Sequence, residues 1–197
     1  MRIISGKYKG HHLISFQADH IRPTTDRVKE TLFNKLFNKV INESLFEIDD
    51  ANVLDLFCGT GNLGLEALSR GARFVTFVDL SKKSLEITKK NIEKLKIPKE
   101  QYKIILKDVP GYLKQYQGEP FKLILVDPPF TKKMAHEVML AASQSEAMGP
   151  NTVLTIESES HERLETAYGD IFLFDSREYG DKTLSFFSKK SDKNGLK

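Results

Sequence analysis

The feature that most restricts what this chain can fold into is Val53-Leu54-Asp55-Leu56-Phe57-Cys58-Gly59-Thr60-Gly61-Asn62-Leu63-Gly64. Val53 to Phe57 is a short apolar run holding one acid, which predicts a strand buried on both faces. The glycines permit a sharp turn and leave bare peptide for a ligand to lie against. Leu65, Ala67 and Leu68 then open a helix that Gly71 is placed to close. Strand, glycine turn and helix N-terminus in succession make the nucleoside-binding crevice of an open α/β sheet.

Gly59, Gly61 and Gly64 also satisfy the dinucleotide pattern G-x-G-x-x-G, and Asp79 lies about where its ribose-binding acid should be. The glycines alone do not choose between a nicotinamide cofactor and S-adenosylmethionine. Asp55 favours the second. A carboxylate at the turn repels a pyrophosphate but attracts an ammonium and a sulfonium, a difference on the order of several kcal/mol at ~4 Å and an effective dielectric near 20. The alternative is that Asp55 only braces the loop by accepting backbone N–H bonds, and neither role favours a phosphate.

At 197 residues, 40% hydrophobic and 29% charged, the chain has the size and composition of one soluble globular domain. No apolar run reaches membrane-span length, and the N-terminus lacks a signal-peptide core, so a cytoplasmic location is expected. The lone Cys58 allows no internal disulfide and lacks a nearby histidine partner for nucleophilic work. The five histidines show no metal-ligand spacing, so no metal is expected. Net charge is only +3, but residues 1 to 30 gather Arg2, Lys7, Lys9, Arg22, Arg27 and Lys29, a modest basic face suited to phosphate contacts.

Gly6 and Gly10 between β-favouring runs predict an N-terminal hairpin, with Ile3-Ile4 pairing near Leu13-Ile14. Pro23 and a Thr25 or Asp26 cap precede a helical stripe of Val28, Leu32, Leu36 and Val40. Strands are expected at 53–57, 74–78, 102–106, 121–126 and 152–156, with helices between them. Residues 171–174 and 183–187 flank Tyr179-Gly180-Asp181 as an antiparallel pair. The pattern is a Rossmann-like class I methyltransferase fold: a seven-stranded, mostly parallel sheet with one antiparallel strand, plus the N-terminal hairpin and helix. The expected boundaries are a single domain over 1–188, with residues 1–20 as an N-terminal hairpin arm, and a disordered basic tail over 189–197.

Three acids close consecutive strands: Asp79, Asp108 and Asp127. Asp79 is placed for the ribose hydroxyls, and Asp108 or the adjacent backbone for the adenine amine. Each alone can equally be a helix cap. Asp127-Pro128-Pro129-Phe130 is more specific. An exocyclic amine on a base has its lone pair delocalised into the ring. The Asp127 carboxylate and the Pro128 carbonyl can accept its two N–H groups and favour tetrahedral nitrogen. The prolines fix φ, so orientation supplies most of the rate, and Phe130 can stack on the planar acceptor. A rigid turn with a buried phenylalanine is the competing explanation.

These motifs resemble class I methyltransferases acting on exocyclic amines. Together with Arg2-Ile3-Ile4-Ser5-Gly6-Lys7-Tyr8-Lys9-Gly10, the block from Arg22 to Asn34, and Tyr179-Gly180-Asp181-Lys182-Thr183, the chain resembles the RsmD family from residue 2 to about 187. That resemblance implies methylation of the guanine N2 amine in bacterial 16S ribosomal RNA (family site guanine 966), on the RNA or the small subunit; a monomer suits an enzyme that must reach into a ribosomal particle. It implies S-adenosylmethionine as cofactor, held by Asp55, Phe57, Gly59, Gly61, Asp79, Leu80, Asp108 and Val109, with Thr24 and Arg27 bordering the cleft. Arg2, Lys7, Lys9 and Arg22 would meet RNA. Asp79 stands where the family usually has Glu, Cys58 replaces a small neutral residue, and His11-His12 stands where Arg or Lys is usual. Amine methylation of DNA adenine or of a protein glutamine, and a non-catalytic RNA-binding assembly factor, are the alternatives.

Overall fold

The structure, a computed structural model, describes residues 1–16, 29–34, 36, 48–129 and 133–189. The expected sites Arg22, Thr24, Arg27 and Phe130, the cap at Thr25 or Asp26 and most of the tail lie outside these residues. Among the described residues eight strands form one sheet: β1 (Asn52–Leu56), β2 (Phe74–Asp79), β3 (Tyr102–Leu106), β4 (Phe121–Val126), β5 (Met148–Glu159), β6 (Ala167–Tyr168), β7 (Ile171–Tyr179) and β8 (Lys182–Lys189). Their spatial order is β3-β2-β1-β4-β5-β8-β7-β6. Strands β1 to β5 run parallel, and β8 inserts antiparallel between β5 and β7. The seven long strands make the expected class I methyltransferase sheet, and the two-residue β6 extends its edge. Strand β8 continues through Lys189, one residue into the stretch expected to be a tail.

The helices cover both faces, as a parallel sheet requires. Residues 29–34 and 36 belong to α1, followed by α2 (Asn62–Ser69) and α3 (Lys82–Lys94); α4 (Val109–Gln115) and α5 (Met134–Ser143) follow later in the chain. Alternate strand residues sort into two cores. Val53, Val75, Phe77, Leu123 and Leu125 pack with α2, α3, α1 and the N-terminal segment. Leu54, Leu56, Val78, Ile124, Val126 and Ile156 pack with α4 and α5. No described helix is long and apolar enough to cross a membrane.

The N-terminal hairpin forms, but its register differs from the sequence expectation. Arg2 pairs with His12, and Leu13 donates to the Met1 carbonyl at 3.1 Å. The reason is where the arm docks. Gly6 has φ 80, and a Cβ there would lie 1.7 Å from the Ser69 carbonyl oxygen. This close approach fixes the arm on the C-terminal end of α2, where Lys7 N–H donates to that same oxygen at 2.7 Å. Glu66 accepts the Ile4 and Ser5 N–H groups at 2.8 and 3.0 Å. On the return leg Asn91 of α3 both accepts from and donates to the Ile14 backbone, at 2.7 and 3.0 Å.

Candidate active site

Sheet order changes direction between β1 and β4, which opens a crevice beyond their carboxyl ends. The glycine turn occupies it. Phe57 leaves β1 at φ 55, a conformation that is strained for an aromatic residue. Gly59 follows at φ 56 and Gly61 at φ 80, where Gly61 caps α2. Gly64 is needed for another reason: a Cβ there would meet Phe77 at 2.4 Å and Asp55 Oδ2 at 2.8 Å. Its missing side chain lets α2 lie directly on the sheet.

The acids of this edge hold the turn in place. Asp79 accepts the Gly59 N–H at 2.9 Å through Oδ2 and the Ser81 N–H at 2.8 Å through Oδ1. Asp55 is 1% exposed and accepts the Gly64 N–H at 2.9 Å, which is the bracing arrangement. Burial, with Asp127 and Asp79 nearby, pushes its carboxyl up to about 8, despite the opposing Gly64 bond. In the free protein Asp55 is therefore largely protonated near neutral pH, and its attraction for a cation grows as it ionises. Thr88 and Asn91 of α3 complete the cradle, donating to the Gly59 and Thr60 carbonyls, each at 2.9 Å. Cys58 is buried and its thiol is pushed well up by burial, so it is inert as a nucleophile.

Asp108 caps α4, accepting the Gly111 N–H at 2.7 Å. Val109 follows with its side chain in the core, which leaves its backbone as the part able to meet a base. Leu80, at 70% exposure, and Leu106, at 57%, are large apolar side chains left open at the ends of β2 and β3. Bare peptide, exposed apolar side chains and an ionisable acid suit a cationic nucleoside better than a diphosphate, so the residues present fit S-adenosylmethionine.

Asp127 is half-buried one residue beyond β4, where its N–H donates to the Leu56 carbonyl at 3.5 Å. Pro128 is buried and Pro129 exposed. Glu157, which sequence reasoning overlooked, belongs to the same series of acids. The register Val126 with Ile156 sets Glu157 of β5 beside Asp127. Burial, then Asp127, raises its carboxyl, while an ion pair with Lys182 of β8 opposes the rise. The signal was available: an acid one residue past an apolar run, level with Asp127. Among the described residues no cluster of His, Cys, Asp and Glu could hold a metal.

Arg2, Lys7 and Lys9 are all exposed on the docked arm, with His11 and His12 beside them. Lys29, grouped with the basic face in the sequence, is instead a buried cation. Lys29 of α1 is 1% exposed and donates to the Arg2 carbonyl at 2.6 Å and Asn62 Oδ1 at 2.8 Å, with Glu66 at 3.2 Å.

Comparison with known proteins agrees with this geometry. Residues 1–188 match the family described as Conserved hypothetical protein 95. The chain is 38% identical over 167 residues to ribosomal RNA small subunit methyltransferase D of Haemophilus influenzae, covering 84% of this chain and 82% of the relative. The Escherichia coli protein of that name is 33% identical over 166 residues, covering 84% and 78%. Among solved structures, yhhF from Escherichia coli superposes with a TM-score of 0.82 at 30% identity, covering 98% of this chain and 99% of the other. HI0767 from Haemophilus influenzae gives 0.77 at 33% identity, covering 95% and 97%.

Proposed function

Because this chain belongs to the RsmD family of class I S-adenosylmethionine-dependent methyltransferases, we propose that it methylates the N2 amine of a guanine in 16S ribosomal RNA. Guanine 966, the family site, is the nucleotide proposed, on the RNA or the small subunit, with the enzyme acting as a monomer. Residues 1–188 act as one catalytic unit. The observation that carries the reading is the position of Asp127: it follows β4, and its N–H donates to the carbonyl of Leu56, where the neighbouring β1 gives way to the glycine turn.

Gly59, Gly61, Asp79, Leu80, Val109 and Phe57 would hold the cofactor, with Asp55 beneath them and Thr24, Arg27 and Asp108 at the border. When bound, the cofactor supplies an electrophilic methyl group on a sulfonium. The Asp127 carboxylate and the Pro128 carbonyl accept the two N–H groups of the guanine amine, which turns the nitrogen lone pair out of the ring plane. Pro128 and Pro129 keep those acceptors from rotating, so little entropy is lost at reaction. Phe130 stacks on the base. Asp127 or water takes the proton that the methylated amine releases. Arg2, Lys7, Lys9 and Arg22 bind the RNA backbone.

Tritium transfer from labelled cofactor into unmodified 16S ribosomal RNA and into small subunits tests this, with the modified nucleotide identified by mass spectrometry. Incorporation as N2-methylguanine is expected. Incorporation into adenine, or into protein alone, would replace this reading, and none into either substrate would end it.

A further inference from the structure

We propose that one exposed face of α3 is a second RNA-binding element, a track of lysines that carries the phosphate backbone from the N-terminal arm up to the cleft. The proposal rests on the RNA-methyltransferase reading and adds residues that reading does not use.

The arm lies along α2 and α3 with its ends near the cleft and its turn far from it. On the outward leg Met1 Sδ meets Thr60 of the glycine turn, Ile4 and Ser5 meet Glu66, and Tyr8 meets Ser69. From Asn62 to Ser69 the chain descends about 10 Å along the helix axis. The exposed bases at the turn, Lys7 and Lys9, therefore sit well below the crevice that would receive a base. On the return leg His12 accepts from Lys94 Nζ at 2.7 Å, Ile14 meets Asn91, and Phe16 lies 5.8 Å below Lys83 Nζ. The arm thus climbs α3 from its last turn to its first.

Charge on α3 is segregated in register with that climb. Its buried stripe is Ser84, Leu85, Thr88, Asn91 and Ile92. Lys83, Lys90 and Lys94 recur at helical spacing along the flank next to the arm, with Ile87 the only other side chain among them. The exposed acids Glu86 and Glu93 begin only at the outer edge of this track, about 40° and 60° round the helix from Lys90, towards the far flank that holds Lys82 and Lys89. A merely solvated helix would mix its signs on both sides; here one side is all cationic. The track spans about 16 Å, enough for several phosphates. Its upper end begins one turn after Asp79, at the mouth of the cleft.

The test compares two charge-removal variants of the full chain. One is K83Q/K90Q/K94Q on the arm side; the other is K82Q/K89Q on the far side. K90E alone avoids the contacts that Lys83 and Lys94 make with the arm. Binding to a 16S ribosomal RNA transcript is measured against salt concentration, and cofactor affinity by calorimetry. The arm-side triple variant should lose about two to three units of salt slope, and K90E about one unit or more, with the far-side pair and cofactor affinity unchanged. Equal loss in the arm-side and far-side variants, or no loss in either, overturns the track. Wild-type protein that binds no RNA would instead overturn the functional reading itself, and the track with it.

Discussion

Glu66 and Lys29 meet inside the protein with their charged atoms 3.2 Å apart and both side chains at most 1% exposed. Glu66 also receives the Ile4 and Ser5 amides and Arg70 Nε at 2.8 Å, so a single carboxylate gathers four donors from three parts of the chain. Replacing it by alanine removes the acceptor of two amides and the carboxylate that faces a buried ammonium. Glu66→Ala should therefore destabilise the fold by about 3–5 kcal/mol in urea unfolding. Hydrogen exchange at Ile4 and Ser5 should quicken before the sheet amides do. A variant with unchanged exchange at these two residues would contradict the anchoring role.

Gly64→Ala puts a methyl group into Phe77 and the Asp55 carboxylate. Overpacking of this kind costs typically about 1–3 kcal/mol. Because α2 carries the turn, the loss should extend to cofactor binding, seen by calorimetry as at least about tenfold weaker affinity. Full affinity in a stable variant would show that the turn tolerates a displaced α2.

Asp127→Ala should reduce methyl transfer by at least about 10²–10³, the usual order for removing one oriented polar group. Cofactor affinity should change little. Single-turnover kinetics and calorimetry separate the two, and a lost affinity would assign Asp127 to the cofactor instead.

Asp55 gives the stability of the free protein a sign. Its carboxyl is raised to about 8 in the folded state, against 3.8 ordinarily. Between those values the folded state holds a proton that the unfolded chain has released. The stabilising contribution is complete below the unfolded value and is lost as pH rises towards 8, at up to about 1.4 kcal/mol per pH unit. Asp55→Asn should flatten that slope in urea titrations from pH 5 to 8. Conversely, a cationic cofactor should bind more tightly as pH rises to about 8 and release a proton on binding, measurable by calorimetry in buffers of different ionisation enthalpy.

The glycine turn and the strand ends were legible because they are local. Asp79, Asp108 and Asp127 could be placed by counting from apolar runs. What they bond to could not, because Gly59 reaches Asp79 across a sheet contact set by packing. The hairpin was visible from Gly6 and Gly10, yet its register was not, since contact with Ser69 and Asn91 decides it. Lys29 groups with an exposed basic face in the sequence and Glu66 goes unremarked there for the same reason: each is charged at a helical position that only tertiary docking buries. Glu157 was within reach of the same counting and was passed over, since its significance comes from β5 lying next to β4.

An arm fixed by Gly6, Glu66, Ser69 and Asn91 cannot be exchanged as a cassette. Grafting the first sixteen residues onto another sheet of this type would deliver the cations without their footing. A working chimera has to bring along the outer surfaces of both helices, so target choice and cofactor grip are inherited together, as one block.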